Sequence, residues 1–412
     1  MLSDQFSTSL WANHTYTRLF SAQVISLIGT GMSSVCLALL AYDLAGDDAS
    51  RVLATVFALK MITYIVFAPL ITQWVQHWPK RPTLVTLDLL RAMTFLALPL
   101  VNAVWQVYLL IVLINLCSAA FTPLYQATLP QVVTRSEDYA KALSFSRIAY
   151  DCEQIISPIL TALLLGWLSF RTLFAFDAAT FLLSGLLIMS CRLPGSKPTN
   201  SSPQAPTHTR KLTAGLSDYL KQRQLRSLWF AYLAVAAASA MVLVNTVVYV
   251  HQVLHGDERE TAVAMLLVGI GSIATALKLP TWLRDRTPNR FHLLGISIIG
   301  MALVLGAQLP SWFGFAVVSV ALGVGMSLIQ TTSGLIIQKA ADKHDASAYF
   351  AAHFSLTHFW WLITYLIAGM TAQQWGLDGA FWSMLLLCSL SAIMVWITQR
   401  TPLANNRDAS TS

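Results

Sequence analysis

The stretch PGSKPTNSSPQAPTHTRK, Pro194 to Lys211, carries no large apolar side chain. Its Pro, Ser and Thr content marks a flexible linker, because such a segment has nothing with which to build a core. On either side the composition inverts. Of the 412 residues, 56% are apolar and 11% charged, against roughly a quarter charged in an average soluble chain, and the mean hydropathy is +0.60. Such a chain cannot cover a water-facing surface with polar groups. Apolar runs fall near residues 19–44, 52–74, 83–101, 105–128, 141–166 and 172–191 before the linker, and near 227–250, 261–283, 291–309, 312–338, 347–370 and 376–398 after it. A helix rising about 1.5 Å per residue needs about 20 residues to cross a hydrocarbon core of about 30 Å. The expectation is an all-α membrane protein of twelve transmembrane helices in two pseudo-symmetric six-helix bundles, 1–193 and 227–398, joined by a cytoplasmic linker, 194–226, and followed by a tail, 399–412.

The linker ends in LTAGLSDYLKQRQLRSL, where Leu212, Leu216, Tyr219, Leu220 and Leu228 recur near helical spacing with Lys221, Arg223 and Arg226 between them. That pattern predicts an interfacial helix leading into the seventh span. Orientation follows from the basic residues. With both termini cytoplasmic, 19 of the 26 Lys and Arg fall in cytoplasmic segments, while the opposite loops hold Arg51, Arg171 and Arg259. The net charge of +7 thus expresses topology and gives no support to nucleic-acid binding. The first 17 residues are polar, without the basic start of a cleavable signal, so the first span is expected to stay in the membrane. The five cysteines show no metal or redox spacing and read as small buried hydrophobes. No nucleophile motif or phosphate-binding loop points to an enzyme, and GTG at Gly29–Gly31 and GVG at Gly323–Gly325 read as close-packing glycines.

The halves echo each other: PLITQWVQHWPKRPTL after the second span and PTWLRDRTPNRFHL after the eighth each run from a Pro-interrupted helix end through Trp to Arg81 or Arg290. Paired bundles suit an alternating-access carrier with a site near the midplane. Four further stretches, FSAQVISLIGTGMSSVCLALLAYDLAG, LVTLDLLRAMTFLALPLV, AAFTPLYQATLPQVV and LFAFDAATFLLSGLL, together with this plan, resemble the twelve-span efflux branch of the major facilitator superfamily. Within that branch, FALKMITYIVFAP, RIAYDCEQIISP and AHFSLTHFWWLITYLIAG look most like the nickel-resistance exporters. The resemblance implies a secondary transporter of the bacterial inner membrane that uses the proton motive force, needs no cofactor and works as a monomer. It also implies gating loops, carried here by Lys80 and Arg81 and by Asp285 and Arg286. The first loop departs from the pattern, with Gln76 near the place of the acid, and the tail lacks the His-rich segment of some nickel exporters.

Charges inside the spans carry the chemistry, since each costs about 2.5–3.5 kcal/mol at the membrane centre on insertion scales. Glu153 lies near the middle of the fifth span. Residues two apart diverge by about 200° on a helix, so Asp151 and Glu153 cannot face one site. Arg147 and Asp151, four apart, share a face and are expected to pair. Desolvation disfavours a charged carboxylate that lacks a partner, which suits Glu153 to carrying a proton. The alternatives are a structural pair with a distant base and a direct substrate contact. Lys60 is expected to pair with an acid of the fifth span, or else to be hydrated at a cavity mouth. Asp88 and Arg91 read as a helix-end pair at the start of the third span, and Asp177 as capping backbone or pairing with Arg171. His353 and His358, five apart and about 140° round the helix, are poorly placed to chelate one ion unless other helices complete a metal site.

By the superfamily's arrangement, spans one, four, seven and ten line the cavity. That names Gln23 and Thr30, Asn115, Tyr125 and Gln126, Asn245 and Tyr249, and Met326, Gln330 and Thr331 as substrate-binding candidates. So few polar groups suit a small amphiphilic molecule, such as a drug or siderophore, better than a sugar. A nickel or cobalt exporter is the alternative cargo reading, and a non-transporting membrane receptor or scaffold the alternative of another class.

Overall fold

The structure, a computed structural model, describes residues 10–45, 49–75, 78–193, 214–256, 258–283, 287–341 and 346–400. It is built of helices. In the first half α1 (His14–Ala45), α2 (Ala49–Val75), α3 (Lys80–Ala97), α4 (Val104–Val132), α5 (Ser136–Leu165) and α6 (Phe170–Met189) follow one another through short connections. Short α7 (Ala214–Lys221) leads into α8 (Arg223–Ala240), a π-turn (Met241–Asn245) and α9 (Thr246–Gln252). After these come α10 (Glu258–Trp282), α11 (Pro288–Ala307), α12 (Trp312–Ala340) and α13 (Ala346–Arg400). Nine helices among the described residues are long and apolar enough to cross a membrane. Lipid enforces this architecture, because a helix satisfies its own backbone hydrogen bonds where no water can.

α13 is two limbs. Gly376, at φ 80° and ψ 178°, leaves helical geometry, a left-handed φ that glycine adopts without a Cβ clash. Thr371 Oγ1 and Ser383 Oγ then lie 3.0 Å apart, whereas twelve residues of straight helix would separate them by about 18 Å. The chain therefore folds back on itself here, where the sequence places a break between apolar runs. The π-turn inside the seventh apolar run has no sequence signal that we identify.

The second half has one continuous core drawn from α7 to α13, joined by Ala127 of α4. That of the first half is divided. One cluster gathers Phe95, Ile114, Phe174 and Phe181, another Leu84, Leu87, Leu124 and Ile188, and the Asp88–Arg91 pair sits on α3 between them. Close helix approach depends on glycine. A Cβ on Gly271 of α10 would lie 2.2 Å from Val320 O, and one on Gly323 of α12 would lie 2.0 Å from Val268 O. Neither carbonyl can move without its helix. Gly323→Ala is thus expected to cost about 1–3 kcal/mol, the usual range for overpacking, read as a lower midpoint of thermal unfolding in detergent.

α7 differs from the expectation of a helix lying on lipid. Tyr219 is fully buried in the second-half core, its hydroxyl 2.8 Å from His353 Nδ1. Gln222, just beyond α7, donates to Tyr349 OH at 2.8 Å. The apolar side of α7 covers the start of α13, because that surface would otherwise face water.

Candidate functional site

The fifth span separates its charges as helical geometry requires. Arg147 and Asp151 form an ion pair on one face of α5, and Arg147 Nε also donates to Ser272 Oγ of α10 at 3.2 Å. The pair therefore belongs to the junction between the halves. Other bonds cross the same junction: Tyr139 OH of α5 donates to Gly334 O of α12 at 3.4 Å, and Ser355 Oγ of α13 donates to Ile65 O of α2. α5 and α13 begin at this end of the molecule and α2, α10 and α12 finish there, so these contacts join the halves at one end.

Glu153 points elsewhere. It is half-buried and packs beside Gly31 of α1, where an added Cβ would meet Glu153 Cγ at 3.1 Å and Ser157 Oγ at 2.3 Å. The glycine is what lets the carboxylate-bearing face of α5 lie against α1. Lys60 of α2 acts on Glu153 electrostatically, yet the two form no contact ion pair. The ammonium of Lys60 instead stands 5.8 Å from the centroid of the Tyr64 ring, one turn along α2.

Several expected site residues take internal roles. Asp88 and Arg91 lie in mid-helix, not at its end, and are 0% and 5% exposed. Ser184 Oγ donates to Asp88 Oδ2 at 2.8 Å, and the Arg91 guanidinium lies between Phe121 and Phe181, 4.2 and 4.7 Å from their centroids. Arg171 pairs with Asp43 at 2.7 Å, not with Asp177, whose buried carboxylate oxygens have no hydrogen-bond partner among the described residues.

The residues expected to line a cavity make bonds of their own within the protein. Gln23 Oε1 accepts from Tyr125 OH at 3.2 Å and from Ser146 Oγ at 3.0 Å, knotting α1, α4 and α5 together. Asn115 donates to Ile111 O at 2.8 Å within its own helix. Asn245 bonds Met241 Sδ, and Tyr249 OH donates to Pro310 O at 2.7 Å. Both line a cavity of about 10 Å³ inside the second half, too small for an organic cargo. A lone polar side chain in an apolar helix is satisfied by the nearest backbone or neighbour, and the sequence cannot name that partner. Met326 and Thr331 are buried, whereas Gln126 and Gln330 remain half-buried. Lys80 is buried at the start of α3 and Arg81 exposed, while Asp285 and Arg286 lie outside the described residues.

The histidines do not converge. His353 is held by Tyr219 and edge-on to Tyr232 at 4.6 Å, and His358 Nδ1 bonds Phe354 O at 2.7 Å. Among the described residues no group of three or more His, Cys, Asp or Glu could hold a metal ion. What His358 does reach is Tyr64, edge to face at 4.8 Å. Tyr64 and Phe354 escape a search for charged groups, although each lies one turn from a residue that the search does find, Lys60 and His358.

Comparison with known proteins agrees with this architecture. Macrolide efflux protein A of Streptococcus pyogenes is 21% identical over 363 residues, covering 84% of this chain and 85% of that protein. A putative sugar efflux transporter of Deinococcus radiodurans is 24% identical over 359 residues, covering 81% and 85%. Among solved structures, a bacterial homologue of the iron transporter ferroportin in an outward-facing state superposes with a TM-score of 0.74 at 11% identity, over 94% of this chain and 100% of that one. The family profile of the Major Facilitator Superfamily matches residues 19–363 and 228–412, and the chain therefore belongs to that superfamily, as a multi-pass membrane transporter and not an enzyme.

Proposed function

We propose that the protein is a proton-coupled exporter of small amphiphilic molecules, working by alternating access in the bacterial inner membrane with both termini cytoplasmic. The observation that carries this reading is Glu153, a half-buried carboxylate in mid-membrane that faces Lys60 without a contact ion pair, while the neighbouring Asp151 is occupied by Arg147. An intramembrane ionisable group of this kind is a functional group by default. The proton motive force supplies the energy, and no cofactor is required.

Twelve spans account for the helices. Nine apolar helices are joined by α1, by α5 with its functional charges, and by the second limb of α13 beyond Gly376. The distribution of Lys and Arg assigns to the cytoplasm the end at which Tyr139, Arg147 and Ser355 bridge the halves, and the state described is then open outward. The superposition with an outward-facing ferroportin homologue is in keeping with that. For the cargo, a chain 56% apolar and 11% charged suits an amphiphile, whereas among the described residues the histidines belong to no group that could hold a metal ion.

Transport into inverted vesicles under an imposed pH gradient tests the reading, with a macrolide, a sugar, nickel and cobalt each offered as cargo. Uptake of the macrolide that collapses with the gradient is expected. Uptake of nickel or cobalt alone, or of nothing at any gradient, would overturn it.

A further inference from the structure

α2 presents Lys60 and Tyr64 on one face, four residues apart, and α13 presents Phe354 and His358 at the same spacing. The two faces meet. The Tyr64 ring lies 4.9 Å from that of Phe354 and 4.8 Å from that of His358, the latter at an interplanar angle of 81°. Phe354 and His358 are themselves 4.2 Å apart, and Trp361 stands edge-on behind His358 at 4.7 Å. The His358 ring is fixed by its Nδ1 bond to Phe354 O, and Ser355 ties the same turn of α13 to Ile65 O, next to Tyr64. The Tyr64 ring meets two aromatic rings of the other half, Phe354 and His358, while Lys60 and Glu153 both belong to the first half.

We propose that Tyr64 and His358 form an aromatic clasp between α2 and α13, which closes this end of the transport path and keeps Lys60 on the Tyr64 ring and out of contact with Glu153 until the clasp opens. The inference rests on Glu153 as the proton carrier and adds the device through which that carrier senses the other half. When α13 moves away, Phe354 and His358 leave with it. Tyr64 then loses the neighbours that hold its ring, and Lys60 loses the surface over which it stands. Lys60 and Glu153 remain together on the first half and can pair. The pairing thus depends on whether the halves are joined, although neither residue bonds across the junction. The reverse also holds, because loss of charge on Glu153 removes the rival for Lys60 and favours its return to Tyr64. Tyr64 and His358 are positioning residues in this scheme. Lys60 of α2 acts on Glu153 and on His358 of α13, and Glu153 acts on Tyr150 of its own helix.

The test requires no cargo. Spin labels at Trp167 and Phe313, 90% and 83% exposed at the end opposite the clasp, report the separation of the halves by pulsed EPR. The full chain, freed of its native cysteines, is placed in vesicles of phosphatidylethanolamine and phosphatidylglycerol over a range of pH. The parent is expected to show two distance populations whose ratio changes with pH. Tyr64→Ala and His358→Ala should each move the midpoint of that change towards acid by about one pH unit, a tenfold gain in pairing between Lys60 and Glu153. Tyr64→Phe, which keeps the ring, should hold the parental midpoint. If both alanine variants keep the parental midpoint, or move it equally in a Lys60→Gln background, while Glu153→Gln abolishes the pH dependence, the clasp does not act through Lys60 and only the carrier reading stands. A pH dependence that survives in Glu153→Gln overturns both readings, and a Tyr64→Phe that behaves as Tyr64→Ala overturns the role of the ring. Should Tyr64→Ala fail to fold, His358→Ala makes the same comparison with Tyr64 in place.

Discussion

Glu153→Gln is expected to abolish the response of transport to a pH gradient. Gln keeps the volume and the polarity of the side chain beside Gly31 and cannot take up or release a proton at ordinary pH. A gradient of one pH unit is worth about 1.4 kcal/mol per proton carried, a factor of ten in the accumulation that one proton can drive. Uptake driven by that gradient should therefore fall about tenfold, to the level of vesicles at equal pH. Glu153→Asp keeps the acid but withdraws it by one methylene from Lys60, and should retain coupling at reduced rate. The measurement is cargo-dependent dequenching of a pH-sensitive dye in inverted vesicles. Proton movement that is unchanged in Glu153→Gln and lost in Asp151→Asn would transfer the role to the neighbouring acid.

The largest effect on stability is expected at Asp88 and Arg91. Asp88→Ala leaves the Arg91 guanidinium buried between Phe121 and Phe181, with no carboxylate to answer it. Removing one partner of a buried pair costs about 3–5 kcal/mol, because the remaining charge keeps its desolvation penalty and loses its compensation. Arg91→Ala should cost a similar amount and also empty the space between the two rings. The double change Asp88→Leu with Arg91→Met removes both charges and restores volume. Apolar replacement of both partners is often neutral or stabilising, so the double variant should unfold at a higher temperature than Asp88→Ala. A double variant no more stable than Asp88→Ala would mean that the pair organises α3, α4 and α6 in a way that apolar packing does not replace. Thermal unfolding in detergent, followed for all three, decides between these results.

The fifth span shows how much of the site could be seen without a structure. Arg147, Asp151 and Glu153 sort themselves by angle around one helix, and the structure keeps that division. Lys60 was legible as a base that needs an explanation, and the structure shows it over the Tyr64 ring and in no contact pair with an acid of α5. The bonding partners of the polar residues expected at the cavity were not legible. Gln23, Asn115, Asn245 and Tyr249 are of the same residue types whether they face a cargo or bond a neighbouring helix, and their partners lie up to 123 residues away in sequence.

The amino-acid sequence by itself determined that this is a helical membrane protein, because hydrocarbon admits little else and the required run of apolar residues is long. It also determined which charges on one helix can meet, since 3.6 residues per turn is a local constant. Tertiary structure alone decided that Tyr64 meets His358, that Asp88 and Arg91 lie deep between two apolar clusters, and that α7 covers the start of α13. The reason is that these helices are apolar on nearly every side. Such a helix carries no stripe to set its rotation, so contacts such as that of Ser355 with Ile65, 290 residues apart, depend on how small and large side chains interlock between helices.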